Sequence, residues 1–137
     1  MAYRFPSDEW IAELSRLLNE SPSYESSAKD WEGDFIFVVE PDGAFEKTSY
    51  LFLGLRHGKS TGAALLSSPD ERPAEYKINA PYGVWRKVID GELDPIQAMM
   101  MRKLKLDGNL MKIMRYPKAA KEIVSCCADV PTEWPGS

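Results

Sequence analysis

Residues 94–115 read DPIQAMMMRKLKLDGNLMKIMR and hold five of the six methionines in the chain. Asp94 suits a helix N-cap with Pro95 in the first turn, so a helix is expected through Met99, Met100 and Met101. Lys103 to Leu106 then alternate, which predicts a strand with Leu104 and Leu106 on one face and Lys103 and Lys105 on the other. Asn109 can cap a short helix over Leu110, Met111, Lys112, Ile113 and Met114. The stretch mixes helix and strand, and the fold class turns on what flanks it.

Upstream, Ser7 precedes Asp8 and Glu9, and Trp10, Ile11, Leu14, Leu17 and Leu18 recur at helical spacing, so an N-capped amphipathic helix is expected to end near Pro22. A second short helix is expected from about Ser23 to Trp31, closed by Gly33. From Asp34 the period changes. FIFVV, the turn PDG at 41–43 and TSYLFLGLRHG read as a β-hairpin, and Gly58 with Lys59 allows a further reversal into STGAALLS. His57, the single histidine, falls near a strand end. SSPDERP at 67–73 is a loop, and AEYKIN alternates as a fourth strand. Pro81 suits the start of a helix whose stripe of Val84, Trp85, Val88 and Ile89 stops at Gly91. Pro117 can open a last helix carrying Ala120, Ile123, Val124 and Cys127. Helix, four strands, helix, strand and helix make an α+β domain without repeats, and 137 residues suit a single domain, 1–137.

Apolar residues at 44% and charged residues at 28% exclude a disordered chain. The longest apolar runs are far short of the roughly 18 residues of a membrane span, the N-terminus has no apolar signal core, and a cytoplasmic location is the default expectation. Cys126 and Cys127 are adjacent, which suits reduced thiols on a helix better than a cross-link. Net charge is −4, yet residues 102–122 hold seven basic side chains (Arg102, Lys103, Lys105, Lys112, Arg115, Lys118, Lys121) against Asp107 and Glu122, a local +5. Because the aromatics are not interleaved with that cluster, no nucleic-acid partner is expected; an anionic small molecule or lipid headgroup surface fits better.

One histidine cannot support a multi-histidine metal site, and no cofactor, metal or catalytic residue is assigned. Gly58-Lys59-Ser60 superficially matches a phosphate loop but lacks the earlier glycine and the following helix. A carboxylate pair such as Glu75 with Asp94 is better explained by chance among many surface acids. The methionines admit two readings: gap-filling core under the sheet, or an adaptable wall for ligands of varied shape.

The run PYGVWRKVIDGELDPIQAMMMRKLKLDGNLMKIM, with the N-terminal EW helix and the WEGDFIFVV strand, resembles the sterol carrier protein, or non-specific lipid-transfer, family, whose hallmark is Gly-Lys-Leu-Lys-Leu-x-Gly-Asp after a helix. Arg102 stands where the family has glycine, and Asn109 where it has aspartate. The resemblance implies a five-stranded, largely antiparallel sheet with helices on one face, enclosing an apolar cavity for a sterol-like lipid, fatty acid or fatty acyl-CoA, and it implies no catalysis. Trp85, Ile89, Met99, Met100, Met101, Leu104, Leu106, Leu110, Met111 and Met114 are then the expected lipid-binding residues. Arg102, Lys103, Lys105 and Lys112 are the expected headgroup or transient anionic-membrane contacts. An accessory or enzymatic unit presenting an acyl or terpenoid substrate, and a Met-rich interaction or dimerisation domain, stay open as alternatives, and oligomeric state is not readable.

Overall fold

The computed structural model describes residues 2–43 and 45–135. Strand β1 is only Tyr3–Arg4, and helix α1, Asp8–Asn19, follows it. The Trp10 N–H donates to Ser7 Oγ at 3.1 Å, Asp8 and Glu9 occupy the positive end of the helix, and Trp10, Ile11, Leu14 and Leu18 are buried. Helix α2, Pro22–Ser27, is shorter than the sequence pattern suggests. It ends before Trp31 because that ring turns inward: its indole N–H donates to the Gly33 carbonyl at 2.9 Å and it stacks on Phe35 at 5.8 Å.

Strands β2 (Phe35–Glu40), β3 (Ser49–Arg56), β4 (Lys59–Leu66) and β5 (Tyr76–Pro81) make up most of the main sheet. Helix α3, Tyr82–Ile89, and helix α4, Pro95–Met100, precede β6, Lys105–Asp107. The order is β4-β3-β2-β5-β6; β2 and β5 run parallel and the other neighbours antiparallel. Helices α5, Leu110–Met114, and α6, Pro117–Asp129, lead to a last short strand, β7, Thr132–Glu133.

Three local expectations need correction. The PDG segment does turn, with Asp42 and Phe45 exchanging backbone hydrogen bonds at 2.8 and 3.1 Å, but the strands do not run up to it: β2 stops at Glu40 and β3 starts at Ser49, and Asp42 reaches across so that its Oδ2 accepts the Gly83 N–H at 3.0 Å. That contact supplies the cap α3 lacks locally, since Pro81 precedes it with no side-chain cap. The KLKL strand begins at Lys105 rather than Lys103. Arg102 adopts φ 60°, the Arg102 N–H donates to Met99 O and the Lys103 N–H to Ala98 O, so Lys103 closes α4 before the chain can extend. The third correction is β1 with β7, a parallel pair absent from the sequence reading. Two-residue strands carry no readable period. The pair is fixed by side chains, with the Trp10 indole N–H donating to Thr132 Oγ1 at 2.9 Å and Phe5 lying 4.7 Å from Trp10 and 5.2 Å from Trp134.

Alternation along the strands sorts the sheet's two faces. Phe35, Val39, Leu51, Leu53, Leu55, Ile78 and Ala80 join the buried cluster that includes the helices. Ile36, Val38, Phe52 and Leu66 form a separate buried cluster on the other side, where the Arg72 guanidinium sits 4.0 Å above the Phe52 ring.

Candidate functional site

The sheet presents Phe35, Phe37, Val39, Leu51 and Ile78 toward the helices, and they do not fill the space between. A cavity of about 100 Å³ remains. Helix α3 contributes Trp85, Val88 and Ile89, α4 contributes Pro95 and Met99, and Leu104 and Ile113 close one side. Helix α6 supplies Ala120, Ile123, Val124 and Cys127; Phe5, Trp10 and Leu14 complete the wall. Among the described residues no charged side chain lines it.

The polar atoms in this wall are turned away or neutral. The Trp85 indole N–H donates to the Val38 carbonyl at 2.9 Å, and that of Trp10 to Thr132, so neither offers a free donor. Burial, with Cys126 alongside, pushes the Cys127 thiol far above its ordinary range and keeps it protonated. Such a surface can hold hydrocarbon but gives a polar headgroup nothing to bond to. A second cavity of about 40 Å³ lies alongside, lined in part by Tyr24, Trp31, Leu55, Tyr116 and Ala119.

Of the residues singled out in the sequence, Trp85, Ile89, Met99 and Leu104 stand in the main wall. Leu106 and Leu110 are half-buried and pack at the edge of the core. Met100, Met101, Met111 and Met114 are exposed by 58, 55, 68 and 39% and are not in the wall. The physical reason is length: α4 has six residues and α5 five, so each turns few side chains into the wall, Pro95 and Met99 from one and Ile113 from the other. Arg102, Lys103 and Lys105 are exposed and have no ion-pair partner among the described residues. Lys112 is engaged elsewhere, its ammonium donating to Glu32 O at 2.6 Å and lying 4.9 Å from the Trp31 ring. Sequence reasoning omitted Phe35, Phe37, Leu51, Ile78 and Ile113 from the site. Their strand and helix patterns mark them as inward-facing but do not say that a gap lies in front of them.

The remaining motifs have structural explanations. His57 (φ 51°) and Gly58 (φ 77°) form the two-residue turn between β3 and β4, as a type I′ hairpin requires. A Cβ on Gly58 would meet the Glu25 carbonyl at 2.6 Å, so this turn also needs the missing side chain for space. Lys59 pairs with Glu25 at 2.6 Å. No described helix is long and apolar enough to cross a membrane.

The SCP-2 sterol transfer family model matches residues 12–121. A crystal structure of sterol carrier protein 2 is 33% identical, with a TM-score of 0.82 over 90% of this chain and 97% of that one. The solution structure of a conserved hypothetical protein from Thermus thermophilus is 32% identical, with a TM-score of 0.82 over 91% and 88% of the two chains. The fold is shared at 17% identity with Aedes aegypti sterol carrier protein 2, solved with palmitate (TM-score 0.53, 82% of this chain and 93% of that one). No match was found among curated proteins. A matched segment that contains α2 to α5, the whole main sheet and most of the cavity wall leads to one conclusion: the chain belongs to the SCP-2 sterol transfer family.

Proposed function

We propose that the protein binds the hydrocarbon part of a lipid, a fatty acid, fatty acyl-CoA or sterol-like molecule, in the cavity between sheet and helices, and carries it through water. The observation behind this reading is the uncharged cavity wall, whose indole N–H groups are already bonded to protein oxygens. The family and the palmitate-bound mosquito neighbour agree with it. Burial of a palmitoyl chain contributes roughly 12 kcal/mol at about 0.8 kcal/mol per methylene, against an association cost of several kcal/mol or more. Micromolar affinity therefore needs no headgroup bond.

The cavity is smaller than the roughly 300–1,000 Å³ of typical ligand sites, so entry of a lipid requires the wall to widen. The short helices α4 and α5 are the parts with least to hold them. A basic rim beside them supports a second component of the same function. Arg102, Lys103 and Lys105, exposed next to the exposed methionines, suit transient contact with an anionic membrane from which lipid is taken.

Native mass spectrometry of the purified chain, followed by organic extraction and titration with a fluorescent fatty acid, tests the proposal. The expected result is saturable binding of lipid at one site per chain. A chain that carries no lipid and binds none of a fatty acid, an acyl-CoA or a sterol would overturn it.

A further inference from the structure

The second cavity is a neighbour of the first in a specific sense: Phe35, Ile113, Ala120 and Ile123 belong to both walls. What separates the two spaces is thus a partition one side chain thick, and all of it is apolar. Resting on the lipid-binding reading above, we infer that the two cavities form a single bipartite site for a linear acyl chain, with Ile113 as the movable part of the partition and the second cavity receiving the end of a long chain.

The members of the partition differ in freedom. Phe35 is locked among aromatic rings, 5.0 Å from Tyr76, 5.5 Å from Phe37 and 5.8 Å from Trp31. Ala120 has only a methyl group, with no torsion that could move it aside. Ile123 is half-buried on α6, and Ile113 sits on the five-residue α5, whose Met111 and Met114 face solvent. An isoleucine in a helix is confined to one main χ1 rotamer, so Ile113 clears the passage by movement of α5 as a unit. That movement joins the cavities and enlarges the first at once. The fixed Phe35 on one side and the α6 backbone at Ala120 on the other leave a narrow opening, which a flexible chain can thread and a fused-ring sterol cannot. Ala119, buried on α6, lines only the second cavity and is what keeps it open.

The test measures displacement of a fluorescent fatty acid by decanoate, stearate and cholesterol on the full chain. In Ala119→Leu, the added side chain fills the second cavity. A space of about 40 Å³ holds one or two methylenes, so stearate affinity is expected to fall about tenfold while decanoate and cholesterol stay within about twofold. Ile123→Ala thins the partition and should raise the preference for stearate over decanoate, an opposite change that guards against a misfolded first variant. Equal losses for all three ligands in Ala119→Leu together with an unchanged length preference in Ile123→Ala would overturn the bipartite site and leave lipid binding standing. A parent protein that binds none of the three would instead overturn the lipid-binding reading itself.

Discussion

At the scale of single residues, Arg102 is the clearest case of a side chain in a place that does not suit it. Its φ of 60° is the left-handed conformation in which a Cβ crowds the following carbonyl, and the two bonds that close α4 require it. Arg102→Gly should therefore stabilise the fold by about 0.5–1 kcal/mol, seen as a rise of a few degrees in the thermal midpoint by circular dichroism. An unchanged or lowered midpoint would contradict the assignment. Residue identity was uninformative here, since an arginine does not announce a left-handed cap, and it was uninformative for the methionines. Composition marks Met99, Met100 and Met101 alike, whereas only Met99 faces inward, because which side of a short helix is covered depends on what α6 and the sheet place against it.

At the scale of elements, α1, α3 and α6 were legible because each repeats its apolar stripe over two turns or more, and β2 to β5 because they alternate or run apolar over several residues. The connection at 41–48 was legible as a turn through Pro-Asp-Gly, but the use of the Asp42 carboxylate by a distant helix was not. The cavity was legible only as an expectation from resemblance. Periodicity tells which way Phe37, Leu51 and Ile78 point and says nothing about how completely opposing side chains fill the space. Helix α6 carries two thiols whose folded state favours the proton: burial raises Cys127, and burial with Asp129 and Glu122 raises Cys126. Below the ordinary thiol range of about 8.5 both folded and unfolded chains hold these protons, and the stabilisation is complete. Above it the unfolded chain releases protons that the folded chain keeps. Stability should then fall as pH rises, by up to about 1.4 kcal/mol per unit per thiol. Urea unfolding in reductant between about pH 7.5 and 10 measures this, and Cys127→Val should flatten the slope. A parent profile as flat as the variant's would show that the thiol ionises without unfolding.

At the scale of the whole molecule, the α+β class follows from the switch of period at Asp34 and the largely antiparallel sheet was implied by the family resemblance, while the parallel pairing of β2 with β5 and the buried cluster on the sheet's far side were not readable. Loops that cover a sheet leave no period of their own. The charge asymmetry also belongs to this scale: residues 102–122 carry a local +5 that the chain's net −4 conceals. Replacing Arg102, Lys103 and Lys105 together by Glu should lower association with anionic vesicles by roughly tenfold or more at low salt, and raising salt should weaken the parent similarly. Binding to neutral vesicles should not change; co-sedimentation distinguishes the cases, and a salt-independent parent would reduce these cations to solubilising charge. The pairing of β1 with β7 has a mechanical consequence. Because the two strands run parallel, the chain enters the pair at one end and leaves it at the other. Tension applied through the two chain ends therefore loads the Tyr3–Pro131 and Phe5–Glu133 backbone bonds together, in shear, instead of opening them one after another. A molecule tethered by its ends would resist as a clasp does, with Phe5, a part of the cavity wall, held directly behind the point where the load arrives.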